Sequence, residues 1–340
     1  MKALILNSGM GKRMGALTKE HPKCMTEIAE NETILSRQLK IISAYGIKEV
    51  VMTTGAFDKV LVDYCNSLGV PLDITFVKNE DFASTNYIYS IYLAREHLHD
   101  DIVMMHGDLV YDANVFGEVL KSDSSCMTVS STLPLPEKDF KAVINDGRIS
   151  AVGIEFFENV LAAQPLYKLK KEDWEEWLKN IERFCESKNT SVYAENAFNE
   201  VSDRCKIVPL DVRNALCSEI DTQEDLAVIS ARLKESMEKT VYMCVSADMI
   251  HSGHISIIKK AAALGKLTVG VLSDEAVASY KRFPLMPFEE RKALFENISG
   301  VEAVVEQKTL SYKDVLSELK PDYVVHGDDW KEGFQKPIRA

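Results

Sequence analysis

The sequence predicts an α/β protein of two domains: a Rossmann-like domain with a mixed sheet, followed by a smaller, doubly wound parallel sheet. Three observations predict it. Short apolar runs alternate with amphipathic segments from the first residues onward, the pattern of strands joined through helices. A glycine-containing turn follows the first run directly. The same alternation starts afresh near residue 241, after a charged amphipathic stretch.

Taken in order, residues 3–6 read as a buried strand and pass into the turn Asn7-Ser8-Gly9-Met10-Gly11. Residues 35–45 have helical spacing, 49–53 strand character, and 60–68 helical spacing again. Further strands are expected at 73–77, 102–106, 127–132, 142–144 and 149–154. Residues 156–209 interrupt the rhythm and read as an insertion or lid, with helical spacing at 174–187. A charged helix over 222–239 opens after Asp221-Thr222 with acidic residues in its first turn. These signals divide the chain into a first domain at 1–233, a linker at 234–240 and a second domain at 241–340. Strands of the second domain are expected at 241–245, 267–272, 303–305 and 323–325.

Composition narrows the function classes. The chain has 340 residues, of which 46% are hydrophobic, enough for two cores. Its 40 basic and 52 acidic residues give a net charge of −12 and are interspersed, which argues against a nucleic-acid partner or an anionic membrane surface. Seven cysteines, odd in number and without a C-x-x-C pair, read as reduced thiols of a cytoplasmic protein. No apolar run approaches the ~20 residues of a membrane span, and the first residues do not form a signal peptide.

The strongest motif pairs Gly9-Met10-Gly11-Lys12-Arg13-Met14 with Pro22-Lys23-Cys24-Met25. Glycines at a strand-to-helix turn let backbone N–H groups approach phosphate oxygens, and a helix start adds a favourable dipole. Lys12 and Arg13 can neutralise a triphosphate, and Lys23 can return to the same pocket. A lone G-x-G is explained equally well by a tight turn, whereas the spaced set is more specific.

This set resembles the sugar-nucleotide and choline-phosphate nucleotidyltransferases over about residues 1–233. Within them it is similar to bacterial phosphocholine cytidylyltransferases and their relatives that activate aminoethylphosphonate. The stretches 84–92, Met105-His106-Gly107-Asp108 and 218–226 belong to the same resemblance. It implies transfer of a cytidylyl group from CTP to a small phosphonate or phosphocholine-like acceptor. It further implies Mg²⁺ held by Asp108 and Asp221 with Glu219, and phosphates held by Lys12, Arg13 and Lys23. Catalysis is assigned to Lys23, Arg13, Asp108 and Asp221, and Leu6, Ser8, Gly9, Met10, Gly11 and Asn86 lie along the nucleotide. Other roles stay open: Asp221 as a helix N-cap, Asp108 as a turn residue, Lys23 as a solvated charge, and Tyr87, Tyr89 and Tyr92 as packing.

Tyr193, Glu195 and Asn196 fall, by the same resemblance, where aromatic and acidic residues surround the acceptor's ammonium. Cation–π and Coulomb attraction favour such a set, and a solvated loop is the alternative for Glu195. Trp174, Trp177 and Ile181 share helical spacing and read as core.

In the second domain, Ser246-Ala247-Asp248-Met249-Ile250-His251-Ser252-Gly253-His254 follows a strand and opens a helix. Two imidazoles flanking a glycine there can donate to nucleotide phosphates, and a metal site is the competing reading. With Leu272–Glu275, Tyr280-Lys281-Arg282, Glu289–Lys292 and Val325–Trp330, the segment resembles the H-x-G-H cytidylyltransferase-like superfamily, especially the domain attached to phosphoenolpyruvate mutases. That implies nucleotide binding by His251 and His254, a mutase fused to or associated with the longer protein, and an acceptor nearer 2-aminoethylphosphonate than phosphocholine. The family's closing I-S-S-T type segment is not found before Ala340. The second sheet is therefore expected to be incomplete, its domain to contribute little transfer, and a homodimer to be one of its uses. A sugar-1-phosphate nucleotidyltransferase and a non-catalytic nucleotide-sensing module are the alternative functions.

Overall fold

Strand β1 (Lys2–Leu6) is buried along nearly its whole length, as a continuous apolar run at the centre of a parallel sheet must be. The computed structural model describes residues 1–9, 11–246 and 248–327, without the side chains of Lys12, Ala16 and Met237. Met10, the Asp328-Asp329-Trp330 motif and the last residues to Ala340 lie outside the described residues. The chain forms two compact units, Met1–Ser230 and a second from Ala231 on.

After β1 the chain enters a 3₁₀ helix at Lys12–Thr18, kinked at Gly15, and not the α-helix that the glycine turn suggests. A short hairpin of β2 (Glu27–Ala29) and β3 (Glu32–Thr33) leads into the first α-helix, α1 (Ile34–Ala44). Thr33 and Ser36 cap α1 reciprocally. Then follow β4 (Glu49–Thr54), α2 (Asp58–Ser67), β5 (Asp73–Lys78), α3 (Tyr87–Ala94), β6 (Ile102–His106), β7 (Leu109–Tyr111) and α4 (Ala113–Lys121). Strands β8 (Cys126–Ser130), β9 (Lys141–Asn145), β10 (Arg148–Gly153) and β11 (Val160–Leu169) precede α5 (Lys171–Glu186) and α6 (Ala194–Asn199). The unit closes with β12 (Val208–Asp211), β13 (Cys217–Glu219) and α7 (Gln223–Met237), the last running into the second unit.

The large sheet has nine strands, with β10-β9-β11-β6-β1-β4-β5 as its main path, β8 paired to β11 and β12 paired to β8. Strands β6, β1, β4 and β5 are parallel, and β11 enters antiparallel to β6, β8 and β9. The expected lid is thus corrected: residues 160–169 form a strand inside the sheet. Pro165 disguises it, because proline is excluded from regular ladder positions. Here it sits where the β11–β8 register shifts, between Ala163 and Tyr167. The face of α5 that carries Trp174, Trp177 and Ile181 is fully buried, as its spacing predicts. Trp174 Nε1 donates to the Leu98 carbonyl at 3.0 Å and Trp177 Nε1 to that of Ala194 at 2.9 Å.

The second unit contains β14 (Thr240–Val245), α8 (Ser252–Ala262), β15 (Lys266–Leu272), α9 (Asp274–Ala278), α10 (Phe288–Glu296), β16 (Val301–Gln307), α11 (Lys313–Leu319) and β17 (Tyr323–Val325). Among the described residues its four strands are all parallel, in the order β16-β15-β14-β17. Among the described residues no helix is long and apolar enough to cross a membrane.

Candidate active site

The chemistry of the first unit gathers at the C-terminal ends of β1 and β6, where parallel sheets place their ligands. Leu6, Asn7, Gly9, Gly11, Arg13, Pro22, Lys23, Cys24, Gly107 and Asp108 line a cleft of about 260 Å³. A hollow of about 440 Å³ at Met1, Tyr45, Lys48 and Glu49 lies by the opposite strand ends.

Two glycines shape the cleft. Gly11 has φ 61°, a left-handed conformation, and a Cβ there would stand 3.3 Å from that of Lys23. At Gly107 a Cβ would fall 1.6 Å from Asn7 Oδ1, so the Asn7 side chain fills the place of a side chain beside Asp108.

Lys23 Nζ donates to Asp108 Oδ2 at 2.6 Å and to Asp221 Oδ1 at 2.5 Å. Arg13 Nη1 lies 3.0 Å from the other Asp221 oxygen, Oδ2. Burial opposes the charge on Lys23, but the two carboxylates outweigh it and raise its pKa. Burial likewise opposes ionisation of Asp108, yet Lys23 and then His106 hold that carboxyl below its ordinary range.

Strand pairing makes this convergence. Antiparallel β13 and β7 set Glu219 opposite Leu109, so the residues after β13 return to the Asp108 turn. Asp221 is not the helix cap considered from sequence. Thr222 and Asp225 take that role: the Asp225 carboxylate accepts from the Asp221 and Thr222 backbone N–H groups, and Thr222 Oγ1 accepts from that of Asp225. The Asp221 carboxylate is thereby left to the cations.

Glu219, assigned to the metal by resemblance, is bonded to His106, whose Nδ1 lies 2.7 Å from Glu219 Oε1. Ligand atoms of His106, Asp108 and Glu219 fall within 4.8 Å of one another. Burial lowers the affinity of His106 for its proton, but Glu219 overrides it and raises the pKa to about 9. Burial, then Asp108, push Glu219 up to about 7 against the pull of His106. Sequence reasoning passed over His106, although its place one residue before Gly107-Asp108 was the available signal.

Beside this cluster lies a group of packed aromatic rings. The Tyr87 ring meets His106 edge-on at 4.9 Å and Tyr193 at 5.9 Å, and Phe140 meets Tyr193 at 5.0 Å. Glu195 is 1% exposed on α6, which corrects the solvated-loop alternative. Its carboxylate accepts from the Tyr87 hydroxyl and, at 2.9 Å, from that of Tyr167. Burial and the Glu195 charge push both phenols well above their ordinary range. Tyr193 is partly exposed, while Asn196 Oδ1 accepts from the Tyr193 N–H and so serves the start of α6.

Other expected nucleotide residues have structural duties. Ser8 is buried with its hydroxyl 2.7 Å from that of Ser90, whereas Leu6, also buried, is among the residues lining the cleft. Asn86 caps α3, its Oδ1 accepting from the Tyr87 N–H at 2.8 Å. Gly9 lines the cleft, and the Lys12 side chain lies outside what is described.

In the second unit, His251 Nδ1 accepts from the Gly253 N–H at 3.1 Å, and His254 Nδ1 accepts from the His251 N–H at 3.4 Å. The rings lie 4.0 Å apart. With both Nδ1 atoms accepting, each neutral ring carries its proton on Nε2 as a donor. Partial burial, then His251 and Lys281, lower the pKa of His254.

Two separate parts of the chain match known protein families. Residues 3–132 match the MobA-like NTP transferase domain family, and residues 242–340 match the cytidylyltransferase-like family. The chain is 30% identical over 135 residues to the CMP-5'-(3-aminopropyl)phosphonate synthase of Streptomyces rubellomurinus, covering 40% of this chain and 21% of that protein. It is 29% identical over 117 residues to the CTP:phosphoglutamine cytidylyltransferase of Campylobacter jejuni, covering 33% of this chain and 45% of that one. The chain thus spans less than half the length of either relative. In fold it is similar to the CTP:phosphocholine cytidylyltransferase of Streptococcus pneumoniae, with a TM-score of 0.57, 20% identity, and 68% and 98% of the two chains covered.

Proposed function

We propose that this chain, which joins an N-terminal MobA-like NTP transferase domain to a C-terminal cytidylyltransferase-like domain, transfers the cytidylyl group of CTP to a small phosphonate- or phosphate-bearing acceptor. The observation that carries the reading is the convergence of Lys23, Arg13, Asp108 and Asp221 on one glycine-walled cleft. Relatives named for cytidylyl transfer to phosphorus-bearing acceptors support the choice of CTP.

Asp108 and Asp221 fit a magnesium ion: each aims a carboxylate oxygen at one point, now the Lys23 ammonium, and hard oxygen donors are what that ion takes. When bound, such an ion neutralises charge on the α-phosphate as a Lewis acid. The acceptor's ionised oxygen attacks the α-phosphorus to form the new P–O bond, and the bond from that phosphorus to the α,β-bridging oxygen breaks, its electron pair leaving on the bridging oxygen with pyrophosphate. No protein base is required, because a phosphonate or phosphate oxygen is already ionised near neutral pH. Catalysis is then positioning and charge neutralisation. Lys23 and Arg13 supply cations from the protein side, and the glycine loop offers backbone N–H groups.

The aromatic rings of Tyr87, Tyr193 and Phe140, with the buried Glu195 carboxylate bonded to Tyr87, suit an acceptor carrying an ammonium. An aminoalkylphosphonate such as 2-aminoethylphosphonate, or phosphocholine, has that charge. The His251–His254 pair supports a second nucleotide site in the C-terminal unit. The test measures pyrophosphate release from each of four NTPs with phosphocholine, 2-aminoethylphosphonate, hydroxyethylphosphonate and glucose-1-phosphate. Release from CTP with a phosphonate or phosphocholine, abolished in Asp108→Asn, supports the proposal. Release confined to UTP or dTTP with glucose-1-phosphate moves it to sugar-nucleotide synthesis, and CTP binding without any release leaves a sensing module.

A further inference from the structure

The carboxylate pair that would hold a metal is already neutralised by the protein's own cations. Lys23 Nζ bridges Asp108 and Asp221 at 2.6 and 2.5 Å, and Arg13 takes the second oxygen of Asp221 at 3.0 Å. The two carboxylates are matched by these two cations, beside the His106–Glu219 pair. The Lys23 side chain is 12% exposed, so its ammonium has exchanged most of its water for these oxygens. A divalent cation approaching this arrangement must displace an ammonium from the point where both carboxylates converge. A nucleoside triphosphate changes that balance: it brings several negative charges into the cleft that Lys23 and Arg13 line, and its phosphates compete for both cations.

We infer that Lys23 is the resting counter-ion of Asp108 and Asp221, and that a divalent cation gains this pair only when a bound nucleotide draws the ammonium onto its phosphates. Lys23 is then exchanged between two partners during each turnover. Metal and nucleotide binding are coupled, each strengthening the other by the same factor, as linkage requires. Arg13, on the outer oxygen and largely exposed, contributes less to the block. The inference rests on the reading of this cleft as a nucleotide site.

The experiment uses the full chain with His251→Ala and His254→Ala, so that the second unit supplies no phosphate site. Mn²⁺ binding is followed by electron paramagnetic resonance, with and without a CTP analogue whose α,β-bridge is non-hydrolysable. Lys23→Met and Lys23→Gln are compared with the parent, their folding checked by circular dichroism. Without nucleotide, both Lys23 variants are expected to bind Mn²⁺ about tenfold more tightly than the parent, within the usual span of coupling factors. The analogue should tighten Mn²⁺ in the parent, beyond its own affinity for the ion, and should do so little in the variants. Asp221→Asn should remove the tight site. Equal Mn²⁺ affinity in parent and variants without nucleotide overturns the inference even when the analogue binds. Failure of the analogue to bind the parent in calorimetry, with or without metal, instead overturns the reading of the cleft.

Discussion

Lys23 and Asp221 lie 198 positions apart, yet their ammonium and carboxylate meet at 2.5 Å. A contact of that reach depends on the whole first unit being folded.

Replacing Lys23 by alanine, or Asp108 by asparagine, is expected to lower the rate of pyrophosphate release from CTP by about 10²–10³, the usual loss when one group stabilising transition-state charge is removed. Steady-state rates measured beside far-ultraviolet circular dichroism check this. Unchanged turnover in either folded variant removes the proposed site.

Glu195→Gln keeps the volume on α6 and removes the charge beside the Tyr87 and Tyr167 rings. The KM for an ammonium-bearing acceptor should rise by roughly tenfold or more, while that for CTP stays within about twofold, since the acceptor alone carries the ammonium. Equal effects on the two substrates would show that Glu195 merely anchors Tyr87 and Tyr167.

The double variant His251→Ala/His254→Ala should retain most of the turnover, because the Asp108–Asp221 cleft is where the reaction is proposed to run. The comparison is made with Asp108→Asn in the same CTP assay. If the histidine pair abolishes turnover and Asp108 does not, the second unit is the catalyst.

Gly107→Ala should destabilise the first unit by ~1–3 kcal/mol, the usual range for overpacking, because its new methyl would fall on Asn7 Oδ1. Asn7→Ala in the same chain should restore part of the loss. Urea midpoints of the two single variants and the double variant test the coupling. Simple additivity would refute this account of Gly107.

Asp322 accepts from the Thr240 N–H at 2.8 Å and from Lys239 at 3.0 Å, the Thr240 bond, then Lys239, drawing its pKa down to about 2. A carboxyl depressed on folding stabilises above its unfolded pKa of ~4, and that contribution is lost as pH falls toward about 2. Asp322→Asn should therefore unfold the second unit at a lower temperature than the parent at pH 6, with the gap narrowing below about pH 4. A gap independent of pH assigns the effect to the hydrogen bonds alone.

Local pattern carried much of the first reading. The apolar runs of β1, β4, β6, β14 and β15 show their burial through composition, and the α5 stripe shows its core face through spacing. Although the three-residue β17 was expected, β7 and β13, of the same length, escaped it, being too short for a period to register. β11 escaped because Pro165 breaks its pattern at a register shift that only its neighbours tolerate. The glycine loop was legible, but the helix after it is 3₁₀, since Gly15 turns to φ 62° within the first turns.

The sequence by itself determined the two α/β units, the glycine loop with its lysine, and the acidic and aromatic residues available for chemistry, because these follow from local periodicity and residue type. The tertiary structure alone decided that Asp108 and Asp221 share one ammonium, that His106 holds Glu219, and that Glu195 is buried beneath two tyrosines. Those facts arise from the β7–β13 ladder and from α6 packing, contacts between residues far apart in the chain. Their partners are chosen by strand register and shared burial, which no short window of sequence encodes.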